Sequence, residues 1–160
     1  MSGTPKIIQA REEKGGICEN ILRSLPQWFG IEESILQYVQ EVEGMPMYVA
    51  LIHESVVGFL SLKHHTEFCS EIYVMGVLPD FHHQGIGKLL VAKTEAYLRA
   101  KDIKYLQVKT QGNSRTETPY DRTRKFYLSQ GFLPIEEIIG LWGENNPCLL
   151  MIKEIYPNHA

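Results

Sequence analysis

The chain has 160 residues, 44% of them apolar and 22% charged, which suits one domain with one hydrophobic core, and residues 1–160 are read as a single domain. A formal net charge of −3 with no long basic run argues against nucleic-acid binding as the main task. Three scattered cysteines (Cys18, Cys69, Cys148), a polar start from Met1 to Arg11, and no apolar run near the roughly 20 residues that span a bilayer predict reduced thiols, no membrane span and a cytoplasmic setting.

Lys6 to Ala10 reads as a short strand. Ile17, Ile21, Leu22 and Leu25 then fall on one helical face, and Pro26 ends that helix because proline has no N–H to give. A second helix carries Ile31, Ile35, Tyr38, Val39 and Val42 at helical spacing. Met47 to His53 and Val56 to Lys63 are β-rich runs that predict a hairpin turning at Glu54-Ser55, and Ser70 to Leu78 is a third such run. Gly85 to Lys101 is predicted as an amphipathic helix. Its inner face is Leu90, Thr94, Tyr97 and Leu98, and its outer face is Lys88, Glu95, Arg99 and Asp102. Tyr105 to Thr110 is a strand, Gln111 to Pro119 a polar loop, and Asp121 to Gln130 a helix stopped by Gly131. Phe132 to Leu141 and Cys148 to Ile155 close the chain as strands, with 143–147 as their turn. The order predicts an α/β (α+β layered) domain with a mixed, largely antiparallel sheet and helices on both faces. Its one parallel crossover runs from Ser70 to Thr110.

The most informative stretch is Val77-Leu78-Pro79-Asp80-Phe81-His82-His83-Gln84-Gly85-Ile86-Gly87-Lys88. A strand ends, proline breaks it, and two glycines open a helix. The first N–H groups of a helix lack internal partners and carry the positive end of its dipole, so such a turn suits a pyrophosphate. It is not a Walker A loop, and it lacks the first glycine of a dinucleotide fingerprint.

Val77, Pro79 and His82-His83-Gln84-Gly85-Ile86-Gly87 resemble motif A of the GNAT acetyltransferases, with His82 where that family usually has Arg or Gln. Phe126-Tyr127-Leu128-Ser129-Gln130-Gly131-Phe132 resembles motif B. The resemblance implies an N-acetyltransferase with acetyl-CoA as co-substrate and a primary amine of a small molecule or peptide as acceptor. It implies CoA phosphate contacts from the backbone of 82–88, Lys88 included. It also implies main-chain contacts to pantetheine from Met75 and Val77 beside a bulge at Gly76. Many relatives have an asparagine seven residues before the motif B tyrosine. Tyr120 stands there, and Asn113 is the nearest asparagine, so either is a candidate for that contact. Arg122 and Arg124 read as solvated helix residues, with a contact to the CoA phosphates as the alternative.

Direct acyl transfer needs a proton for the leaving thiolate and a base for the amine. A phenol stays protonated at neutral pH, and the resemblance puts Tyr127 beside the thioester sulfur as general acid; a plain core tyrosine is the alternative. Glu71, 14 residues before Gly85 as in the histone-acetylating branch, is the base candidate, and burial in a partly apolar cleft would raise its pKa. A solvated strand-edge glutamate is the alternative. Glu67, Glu32 and Glu33 near the same cleft would favour a cationic or amine-bearing acceptor. Trp28, Phe29 and Trp142 are candidates for lining its pocket. His64-His65 on a strand would face opposite ways, so no metal site is expected. An acyl-CoA sensor without turnover is the competing function, and the resemblance also allows a homodimer.

Overall fold

The computed structural model describes residues 3–112 and 119–156. Seven strands form a sheet in the order β1-β2-β3-β4-β5-β7-β6. In chain order the elements are β1 (Lys6–Ala10), α1 (Lys14–Arg23), α2 (Glu32–Glu41), β2 (Met47–Ile52), β3 (Ser55–His64), β4 (Cys69–Val77), α3 (Ile86–Ala100), β5 (Tyr105–Gln111), α4 (Tyr120–Ser129), β6 (Leu133–Gly140) and β7 (Gly143–Glu154). The β1–β2, β2–β3, β5–β7 and β6–β7 pairs are antiparallel, while β4 and β5 are parallel. This is the mixed, largely antiparallel sheet expected from the sequence. The chain divides into two compact units, Met1–Lys63 with Tyr73–Tyr97, and His64–Ile72 with Leu98–Ala160.

In the first unit, Cys18, Ile21 and Leu22 of α1 pack with Met47, Val49, Phe59 and Val74 of the strands. Each fully buried Ile, Leu, Val or Phe contributes about 1.5–3 kcal/mol. Gly76 suits this packing, because a Cβ there would lie 3.0 Å from both Ile21 Cγ2 and Leu25 Cδ1 and press on them. Its role in the structure is close approach to α1. The β2–β3 hairpin turns one residue earlier than expected, at His53-Glu54, both with positive φ (50° and 67°). That pair of left-handed residues is what a two-residue turn needs to match the twist of its strands. Leu90, Thr94 and Leu98 of α3 are buried as expected, but Glu95, assigned to the outer face, is buried too.

In the second unit, β7 begins at Gly143, so the segment 143–147 read as a turn is strand. The reversal is Leu141-Trp142, flanked by Gly140 and Gly143 at φ 94° and 90°. Helix α4 ends in a Schellman motif: Gly131 (φ 94°) donates its N–H to Leu128 O at 3.0 Å, and Phe132 donates to Tyr127 O at 3.0 Å.

Candidate active site

The first unit holds the glycine turn. β4 ends at Val77, a short 3-10 turn spans Pro79–Phe81, and α3 opens after Gly85. Gly85 sits at φ +80° with open space around its missing Cβ, so the backbone angle, not crowding, calls for glycine. The first helical bond runs from Leu89 N–H to Gly85 O at 3.1 Å. The N–H groups of Ile86, Gly87 and Lys88 therefore precede the hydrogen-bonded part of the helix and take no partner among the described residues. Two motif side chains brace the turn itself. His82 Nε2 lies 2.6 Å from Val77 O, with its ring 6.0 Å from that of Trp28, and Gln84 Nε2 donates to Asp80 O at 3.2 Å. His83 takes a positive φ of 61°. Met75 and Val77 lie half-buried on the last residues of β4.

Other acceptor-side candidates also belong to this unit. Glu32 is held by Arg23 through a two-pronged contact at 2.6 and 2.9 Å. Trp28 and Phe29 are half-buried against the core, and the Phe29, Tyr38 and Tyr73 rings follow one another edge to face at 6.0 and 5.2 Å.

Glu71, in the second unit, is neither solvated nor apolar in its surroundings. It is 5% exposed and faces Gln107 across the parallel β4–β5 ladder, which runs from Cys69↔Tyr105 to Ile72↔Val108. Lys109 is two residues further along β5, hence on the same face. His65 Nε2 (2.7 Å), Gln107 Nε2 (2.8 Å) and Lys109 Nζ (3.2 Å) all meet one oxygen, Oε1. The second oxygen, Oε2, takes no partner among the described residues. Burial pushes the pKa up, but the hydrogen bonds from Gln107 and His65 and the charge and hydrogen bond of Lys109 outweigh it, so the carboxyl lies below its ordinary value. The raised pKa expected from an apolar cleft is corrected by this cradle. His64 turns instead to Ser70 Oγ at 2.5 Å, so the two neighbouring histidines serve successive β4 residues.

Tyr127 is 5% exposed and wedged between Phe126 (ring centroids 5.3 Å) and Phe132 (5.5 Å). Motif B thus has a local physical meaning. Its glycine ends the helix, and its last phenylalanine folds back onto the tyrosine as the apolar contact of the Schellman motif. Burial, with a smaller contribution from Tyr120, raises the phenol above its ordinary value, which keeps it protonated. Tyr120 is half-buried at the start of α4, and Asn113 lies outside the described residues. Arg122 is exposed as expected, but Arg124 is not. Arg124 is 6% exposed, donates from Nη1 to Gln111 O (2.5 Å) and Gly112 O (3.2 Å), and pairs with Asp121. It ties the first turn of α4 to the end of β5, one helical turn before Tyr127. Cys18 is pushed up to about 12 by burial, and burial also raises Cys69 and Cys148, so these thiols stay protonated at neutral pH. Among the described residues, no group of three His, Cys, Asp or Glu side chains converges as a metal site would require, and no helix is long and apolar enough to cross a membrane.

The profile of the acetyltransferase (GNAT) family matches residues 17–132, and the chain belongs to that family. An uncharacterised N-acetyltransferase of Chlorobaculum tepidum is 31% identical over 78 residues, covering 49% of this chain and 47% of that protein; the match thus spans about half of each. In fold, the chain is similar to a candidate GNAT acetyltransferase from Desulfovibrio desulfuricans (TM-score 0.83, 17% identity, 96% of this chain and 100% of that one). It is also similar to a GNAT family acetyltransferase from Elizabethkingia anophelis with acetyl-CoA bound (TM-score 0.74, 19% identity, 94% and 97%).

Proposed function

We propose that the protein transfers the acetyl group of acetyl-CoA to a primary amine of a small molecule or peptide. The observation that carries this reading is the open start of α3, where the N–H groups of Ile86, Gly87 and Lys88 follow Gly85 and take no partner among the described residues. These donors and the helix dipole suit the CoA pyrophosphate, and the family resemblance adds main-chain contacts from Met75 and Val77 to pantetheine. His82 and Gln84 act in this reading by shaping the turn, since their side chains are already engaged with it.

In the proposed reaction the neutral amine attacks the thioester carbonyl carbon. The C–N bond forms, the C–S bond breaks, and the sulfur leaves as thiolate with the bonding pair. Tyr127 supplies the proton that makes the thiol, and Glu71 Oε2 receives, directly or through water, the proton lost by nitrogen. The phenol's burial keeps it protonated at neutral pH, as a proton donor must be. The test is release of free thiol from acetyl-CoA against a panel of amines. Binding of acetyl-CoA with no thiol release across the panel would favour a sensor instead.

A further inference from the structure

Glu71's cradle bears on which amine the site accepts, an inference that rests on the base role proposed for Glu71. An unpaired buried carboxylate would be a strong base and a magnet for cations. Here one oxygen is saturated by an imidazole, an amide and an ammonium, and only Oε2 is left for a proton. Lys109 cancels the carboxylate's charge at 3.2 Å, so a second ammonium entering beside it meets little net attraction. Among the described residues, the Cys69 thiol on β4 and the Cys148 thiol on β7 also feel Glu71; both are protonated at neutral pH and add no charge. Lys109 and His65 are each about a third exposed by side chain (29% and 30%), while Glu71 is 7% exposed, so the compensating charge stands on the solvent side.

A weak base beside a fixed ammonium can serve an amine with an appreciable neutral fraction at pH 7, and serves an alkylammonium poorly. An α-amino group has a pKa of about 7.7–8.0 and a lysine-type amine about 10.4, so at pH 7 the neutral fraction of the first is larger by a few hundredfold. We propose that the acceptor is a weakly basic amine of the α-amino kind, and that Lys109 and His65 act as positioning residues that hold Glu71 as a single-oxygen, weak base and so select it.

The test compares kcat/KM at pH 7 for two peptides of the same sequence. One has a free α-amine and no lysine; the other has a blocked α-amine and one lysine. The α-amine should be preferred at least tenfold. Lys109→Met should narrow that preference and raise the acidic limb of the pH–rate profile, whereas Lys109→Gln, which keeps a donor to Oε1 without charge, should do so less. A lysine-side-chain preference in the wild type, or an α-amine preference left unchanged in Lys109→Met with an unshifted acidic limb, overturns the proposal. Turnover of neither peptide, or of any other amine, would count against the transferase reading itself. Turnover with Glu71→Gln at wild-type rate and pH profile would remove the base and this inference with it.

Discussion

Arg124→Ala puts a number on the tie between α4 and β5. The wild-type guanidinium satisfies the carbonyls of Gln111 and Gly112 and pairs with Asp121, all while 6% exposed. Truncation leaves two carbonyls at the end of β5 short of a donor and opens a void beside them. A buried group left unsatisfied costs about 1–3 kcal/mol, so the pair, partly relieved by entering water, predicts a loss of roughly 2–4 kcal/mol. For a chain of this size that lowers the Tm by about 5–15 °C. Urea and thermal unfolding measure it, with Arg122→Ala as the exposed neighbour, expected within about 0.5 kcal/mol of wild type. Arg124→Lys, able to reach one carbonyl, should fall between. A loss below about 0.5 kcal/mol for Arg124→Ala would refute the reasoning, because it would return Arg124 to the solvated role its sequence suggests.

The remaining expectations concern the proposed chemistry. Acetyl-CoA at a hundredfold excess over its Kd should stabilise the wild type by about 2.7 kcal/mol. Gly87→Glu should lose that stabilisation, since it sets a carboxylate among the N–H groups that open α3; calorimetry showing an unchanged shift would remove the phosphate assignment. Tyr127→Phe should cut kcat by about a hundredfold to ten-thousandfold with CoA affinity nearly intact, and a loss under about threefold with chemistry rate-limiting would make Tyr127 a core aromatic. Glu71→Gln should slow turnover most at low pH and recover as pH rises and the amine deprotonates unaided. Its stability should track the same carboxyl. The folded pKa is depressed, so the carboxylate's contribution is present above the unfolded value of about 4.3 and is lost as pH falls through the folded value. The stability gap between Glu71→Gln and wild type should therefore close in acid, and a gap that persists there would argue that shape, not charge, is at stake.

Element order was legible because each element carries its own periodicity, and the predicted β1 matches residue for residue. The last turn was misplaced because 143–147 has turn composition, while the reversal is set by the positive φ of Gly140 and Gly143, which composition does not reveal. The glycine turn and Tyr127 were legible because both are local devices, a helix start and a helix stop. Glu71's cradle was not. Its partners come from two distant parts of the chain, His65 and β5, and only the β4–β5 register brings Gln107 opposite Glu71 with Lys109 on the same face. Arg124 was misread for a similar reason. Its burial depends on two carbonyls at the end of β5, and a charged residue on a short polar helix gives no sign of them.

The most direct test of the central claim is stoichiometric. The wild type is incubated with acetyl-CoA and each amine in turn, and released thiol is counted against acetylated product by mass. We predict one thiol per acetylated amine for at least one α-amino acceptor, with negligible release when no amine is present. Firm acetyl-CoA binding with no acceptor-dependent thiol release across α-amines, alkylamines and aminoglycosides would contradict it, and would leave a protein that binds the thioester without turning it over.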